Sequence, residues 1–113
     1  MSWKTLSTEN ELETLISESF QVPQMILKHS TRCGVSSMAL RRLERAKIQE
    51  NNKLTCHYLD LLKYRPISNL ITQKFNVWHE SPQILVIKNG ACVYHASHEM
   101  IDAEQIILEI EKS

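Results

Sequence analysis

No stretch of this sequence approaches the roughly 20 consecutive apolar residues that a membrane-crossing helix needs, so a membrane protein is not expected. An excess of charge is also lacking: Lys plus Arg and Asp plus Glu both number 13. Without a net field the chain has no general attraction for nucleic acid or for an anionic membrane surface. The densest basic segment, Arg41-Arg42-Leu43-Glu44-Arg45-Ala46-Lys47, reads as the solvated face of a helix. No apolar segment of leader type follows Met1-Ser2-Trp3-Lys4, so a signal peptide is not expected and the cytoplasm is the expected location. Cysteine is sparse and odd in number, with Cys33, Cys56 and Cys92 alone. That argues against a secreted disulfide scaffold and leaves each as a small buried apolar group or a reactive thiol. Repeats, low-complexity tracts and internal linkers are missing too, and a length of 113 residues suits one domain over 1–113.

What is present is an alternation of helix and strand patterns. Thr8 followed by Glu11 forms a candidate capping box, and Leu12, Leu15, Ile16 and Phe20 continue at helical spacing over 8–20. The apolar run Met25-Ile26-Leu27 within 22–29 predicts a strand buried on both faces. Val35, Met38, Ala39, Leu43, Ala46 and Ile48 predict a second helix, broken at Asn51-Asn52. A second strand follows over 54–61, and Pro66 opens a helix carrying Ile67, Leu70, Ile71 and Phe75. Asn89-Gly90 between Ile84–Ile87 and Ala91–His95 is a strong hairpin signal, and Asp102 with Gln105 caps a last helix. The order α-β-α-β-α-β-β-α predicts an α/β fold, a four-stranded mixed sheet flanked by helices on both faces. This is the thioredoxin-like arrangement with one helix added in front.

Cys33 falls where the first strand ends and the long helix begins. A helix N-terminus offers unpaired N–H groups and a partial positive charge, which favour S⁻ over SH. Arg32 and His29 are expected to add positive charge, the polar flank Ser30-Thr31-Arg32 leaves the sulfur accessible, and Gly34 lets backbone approach it. Ser36 occupies the place where a dithiol motif carries its second cysteine. A hydroxyl cannot close a disulfide, so Cys33 acts alone or with an external thiol; Ser36 either donates to the thiolate or simply starts the helix. Ser81-Pro82 precedes the third strand, where a proline fits a cis bond or an ordinary strand edge. In a thioredoxin-like fold that loop faces the nucleophile and can pair with an extended substrate. Cys56 and Cys92 lie in apolar runs and read as buried structural residues, and Phe75 and Trp78 as core or groove wall. His29-x-x-x-Cys33, Cys56-His57 and His95-x-x-His98 lack the paired spacing of a structural zinc site, so no metal is expected.

Five segments resemble the YtxJ-like bacilliredoxins: Lys28-His29-Ser30-Thr31-Arg32-Cys33-Gly34-Val35-Ser36, Tyr58-Leu59-Asp60-Leu61-Leu62, Arg65-Pro66-Ile67-Ser68-Asn69, His79-Glu80-Ser81-Pro82-Gln83, and Lys88-Asn89-Gly90 with Val93-Tyr94-His95-Ala96-Ser97-His98. They occur in order from about Leu12 to Ile107. The resemblance implies a monothiol oxidoreductase that removes a low-molecular-weight thiol, bacillithiol, from mixed disulfides on client proteins. Carried over, Cys33 is the attacking thiol, Ser36 fills the slot of the absent cysteine, and Ser81 and Pro82 form the substrate-facing loop. Thr31, Arg32 and Gly34 complete the substrate-binding set. The small thiol is a co-substrate, and no resident cofactor is implied.

One position departs from the family. Proline commonly follows its cysteine, and Gly34 stands here. Cys-Gly-Val-Ser is therefore also close to the Cys-Gly-Phe-Ser of monothiol glutaredoxins, which hold iron–sulfur clusters with glutathione. Their Gly-Gly-x-Asp pattern after the hairpin is replaced by Ala96-Ser97-His98-Glu99, so a cluster carrier is the second reading. A third is a binding module that keeps the fold without activity, in which Cys33 is an ordinary thiol.

Overall fold

The computed structural model describes residues 3–112; Met1 and Ser2, where the leader reading begins, and Ser113 of the expected 1–113 domain lie outside them. The chain runs β1 (Lys4–Thr5), α1 (Glu9–Glu18), β2 (Gln24–His29), α2 (Gly34–Arg45), β3 (Thr55–Asp60), α3 (Arg65–Phe75), β4 (Gln83–Lys88), β5 (Ala91–Ser97) and α4 (Ala103–Glu111). Short 3-10 turns occupy Ile48–Glu50 and His98–Met100. The sheet order is β1-β3-β2-β4-β5, with β1, β3 and β2 parallel and β4 and β5 antiparallel. The expected four strands thus become five. The added strand has two residues, too few for any alternation, and exists because the outer edge of β3 takes up Lys4 and Thr5. The Leu6 N–H continues that pairing onto the Tyr58 carbonyl at 2.8 Å.

The local signals act largely as their chemistry dictates. Thr8 and Glu11 form a complete capping box, and the Asp102 side chain accepts the Gln105 N–H at 3.2 Å. Asn89 (φ 54°) and Gly90 (φ 80°) both take the left-handed conformation of a two-residue hairpin turn. A side chain at Gly90 would also collide with the Phe20 ring, 2.9 Å from where its Cβ would stand. The turn is tied to the end of α1 by Asn89 N–H to Ser19 O and Gly90 N–H to Ser19 Oγ, both 2.9 Å. Helix α2 stops at Arg45, before the apolar pattern does. Lys47 is left-handed (φ 58°) and turns the chain so that Ile48 still reaches the core from outside the helix.

β2 is central and buried along its whole length, as its apolar run predicts. Met25 and Leu27 pack with Ala39, Leu43, Ile106 and Ile110 of α2 and α4. Ile26 packs on the opposite face with Leu12, Leu15, Ile67 and Ile71 of α1 and α3. The register Lys28 to Gln83 brings Pro82 beside the end of β2, the end from which Ser30–Cys33 emerges. Phe75 joins the core partly, but Trp78 does not: it is 84 % exposed in the loop before β4, which removes the core half of the expectation of a core or groove-wall role. No helix among the described residues is long and apolar enough to cross a membrane.

Candidate active site

Cys33 is the N-cap residue of α2, half-buried, with the extended backbone (φ −111°, ψ 119°) usual for that position. Its N–H bonds Ser30 O at 3.2 Å and its carbonyl accepts the first helical bond from Ser37 N–H at 3.0 Å. The side chain caps nothing, so the sulfur is left at a helix terminus rich in unpaired N–H groups. Gly34 is exposed, with open space where a side chain would be.

Ser36 is fully buried and points away from this chemistry. Its Oγ lies 2.6 Å from His29 Nδ1 and accepts the Ser30 N–H at 3.1 Å. The hydroxyl, with one proton and two lone pairs, can serve the Ser30 N–H and the His29 ring together. Burial pushes the His29 imidazole below its ordinary range, opposed by the Ser36 contact and by the Asp60 and Glu44 carboxylates. Two expectations change as a result. Ser36 braces the turn before the cysteine rather than bonding its sulfur, and His29 is a neutral buried ring packed at a tilt against Tyr58 rather than a cation beside Cys33.

Thr31 and Arg32 are exposed, and the Arg32 N–H bonds Ser30 Oγ at 3.4 Å. With Asp60, Leu62 and Lys63 they line a groove of about 410 Å³. It opens at the carboxyl ends of the parallel strands β2 and β3, where α/β sheets commonly seat ligands. Asp60 and Leu62 lie in a segment that carries the family resemblance, but their place beside Arg32, with Lys63, follows only from the pairing of the two strands.

The Ser81–Pro82 bond is cis, one of the two states its sequence allowed. Pro82 O accepts the His98 N–H at 3.0 Å, and Gln83 Nε2 donates to Trp78 O at 2.9 Å. Ser81 Oγ is buried without a hydrogen-bond partner. Behind this loop stands a group that sequence reasoning missed. Lys28 is fully buried on β2, with its Nζ 3.3 Å from His79 Nδ1. A lysine in a strand pattern reads as an edge or solvent residue, so burial of this one became visible only in the sheet.

The other thiols are structural. Cys56 is buried, its Sγ donates to Ile48 O at 3.7 Å, and burial pushes its pKa up to about 12. Cys92 is only partly buried, less than expected, and burial raises it as well. All three cysteines are free. Among the described residues no three His, Cys, Asp or Glu side chains are grouped to hold a metal ion.

Comparison with known proteins bears on the same site. The fold is similar to that of a solved structure described as a candidate oxidoreductase with a thioredoxin fold: TM-score 0.84, 30% identity, covering 96% of this chain and 93% of that one. Fasciola hepatica thioredoxin is similar at TM-score 0.75 and 19% identity over 95% of both chains. A Halobacterium salinarum thioredoxin mutant is similar at TM-score 0.75 and 14% identity, over 96% of this chain and 87% of that one. The family model for the monothiol bacilliredoxin BrxC matches residues 4–106, which span Cys33, Ser36 and the cis-proline loop. The chain therefore belongs to the monothiol bacilliredoxin BrxC family, a group of thiol redox enzymes on the thioredoxin fold.

Proposed function

We propose that the protein removes a low-molecular-weight thiol, bacillithiol, from mixed disulfides on cytoplasmic client proteins. The observation that carries the reading is a single unbonded thiol, Cys33, at the N-terminus of α2, with the hydroxyl of Ser36 turned into the core. The Cys33 thiolate attacks the small-thiol sulfur of the mixed disulfide. The new S–S bond joins Cys33 to the small thiol, the old one breaks, and the client thiolate leaves and takes a proton from water. A second small thiol or a reductase then attacks the Cys33 mixed disulfide and restores the thiol. Thr31, Arg32, Gly34, Ser81 and Pro82 surround the reacting sulfurs in this reading, and the small thiol is a co-substrate rather than a resident cofactor. The choice of bacillithiol rests on family membership.

Mass spectrometry with a bacillithiol-modified client tests this directly. The parent protein should strip the client and acquire the bacillithiol mass on Cys33. Cys33→Ala should do neither, and release at the parental rate by that variant would end the proposal. Clients modified with glutathione or cysteine, run in parallel, decide which small thiol is preferred.

A further inference from the structure

Lys28 is the most anomalous residue in the molecule. It has no solvent exposure, sits on the central strand between Leu59 and Gln83, and forms no ion pair with a carboxylate among the described residues. Burying an unpaired ammonium is costly unless every donor finds an acceptor. Three acceptors are supplied by α3 and the loop after it: Ser68 O at 3.5 Å, Thr72 Oγ1 at 3.4 Å and His79 Nδ1 at 3.3 Å. Thr72 spends its own proton on Ser68 O at 3.3 Å, which leaves an oxygen lone pair facing the ammonium.

The His79 contact has a chemical consequence. An ammonium only donates, so the Nδ1 facing it accepts and is unprotonated; Ser68 Oγ lies 3.4 Å from the same nitrogen. The ring proton then resides on Nε2. Burial, Lys28 and Arg65 all hold the imidazole below its ordinary range, with Glu80 alone opposing them, so the ring is neutral at physiological pH. His79 begins the segment that ends at Pro82, and the register of Lys28 with Gln83 sets both ends of that segment on the same lysine. The Glu80–His98 pair, 3.4 Å apart, and Gln83 to Trp78 O are its other ties.

We propose that Lys28 is a positioning residue of the thiol-exchange reaction: its buried ammonium locks His79 in the Nε2–H tautomer and thereby holds the Trp78–Pro82 loop in place beside the end of β2 from which Cys33 emerges. The inference rests on the proposed exchange reaction and adds to it a group that never touches substrate. Burial alone moves the lysine down to about 8, so the amine retains its proton at neutral pH, as the donor role requires.

The test pairs kinetics with nitrogen NMR of the histidine rings. In the parent, His79 should show an unprotonated Nδ1 and a protonated Nε2 at pH 7. Lys28→Met keeps the length and burial of the side chain but cannot donate. It should give a mixture of tautomers and slow release from a bacillithiol-modified client by about tenfold or more, the scale expected when a substrate-facing element drifts. Alkylation of Cys33 by iodoacetamide, which needs no loop, should be unchanged. His79→Gln, whose amide oxygen can still accept from the lysine, should retain most of the client rate, whereas His79→Leu should lose it, which covers the case of a Lys28→Met that fails to fold. An Nδ1–H or doubly protonated His79 in the parent overturns the proposal. So does an unchanged client rate in a folded Lys28→Met, or a joint loss of alkylation and client rate. If the parent itself releases no small thiol, the exchange reading falls, and the positioning role in that reaction falls with it; the tautomer would then report only on the structure of the loop.

Discussion

Cys33 and Cys56 are one residue type in two environments. Cys33 stands half-buried at a helix start, while Cys56 is enclosed between β3 and the Ile48 turn and has its thiol pushed up to about 12. Because the thiolate is the reacting species, iodoacetamide at pH 8 should label Cys33 in the folded protein and leave Cys56 untouched. Cys92, raised by its own burial, should react slowly, and urea should remove the differences between the three. Peptide mapping by mass spectrometry reads this out. Ser36 makes the complementary case. Its Oγ satisfies both the Ser30 N–H and the His29 ring, so Ser36→Ala strands two buried polar groups and should cost about 1–3 kcal/mol in a urea melt. The sequence marked Ser36 by its spacing from Cys33, but spacing does not say where a side chain points, and the buried ring of His29 decided that.

Among the elements, the start of α2 carries the site, and its backbone already has the form that the family's usual proline needs. Gly34 is the first helical residue, where the N–H has no partner to lose, and Cys33 before it is in the extended conformation that a following proline requires. No atom lies within 4 Å of a side chain added there. Gly34→Pro should therefore fold and gain about 0.4–1 kcal/mol through a less flexible unfolded chain, seen as a higher denaturation midpoint. Helix α4 depends more on its cap: removing the Asp102 carboxylate by Asp102→Ala frees the Gln105 N–H and should cost about 1 kcal/mol in the same assay. Caps, the hairpin turn and the first-turn proline of α3 were legible because each is set by residues a few positions apart. Strand β1 and the early end of α2 were not, since one needs the edge of β3 and the other a left-handed Lys47 that no glycine announces.

For the whole molecule, the buried imidazoles govern how stability depends on pH. His57 Nε2–H donates to Gln24 Oε1 at 2.7 Å, because an amide oxygen only accepts. Burial, aided by Lys4, moves the ring down to about 4. His29 and His79 are lowered too, in each case chiefly by burial. The unfolded chain therefore binds protons that the folded one refuses between about pH 6.5 and 4, so stability is full above that window and falls as pH drops through it. His57 alone accounts for up to about 3 kcal/mol of the loss. Thermal melts from pH 7.5 to 4 should show the decline, and His57→Gln should flatten it. Lys28 acts at the other end: lowered to about 8, it favours the folded state increasingly as pH rises from there toward the value of a free lysine. Lys28→Met removes that charge-burial cost but strands the acceptors on Ser68, Thr72 and His79, so its melt is measured beside its kinetics to keep the two effects apart.

The amino-acid sequence by itself determined the alternation of elements, the hairpin, the caps and the identity of Cys33 as the one thiol at a strand-to-helix turn. Periodicity, capping and turn preference act over a few residues, so they can be read without knowing what packs where. The tertiary structure alone decided the inward turn of Ser36, the groove shared by Arg32 and Lys63, the exposure of Trp78 and the burial of Lys28 against His79. Each of these depends on strands and helices brought together from distant parts of the chain, and on whether a polar atom finds a partner once water has been excluded.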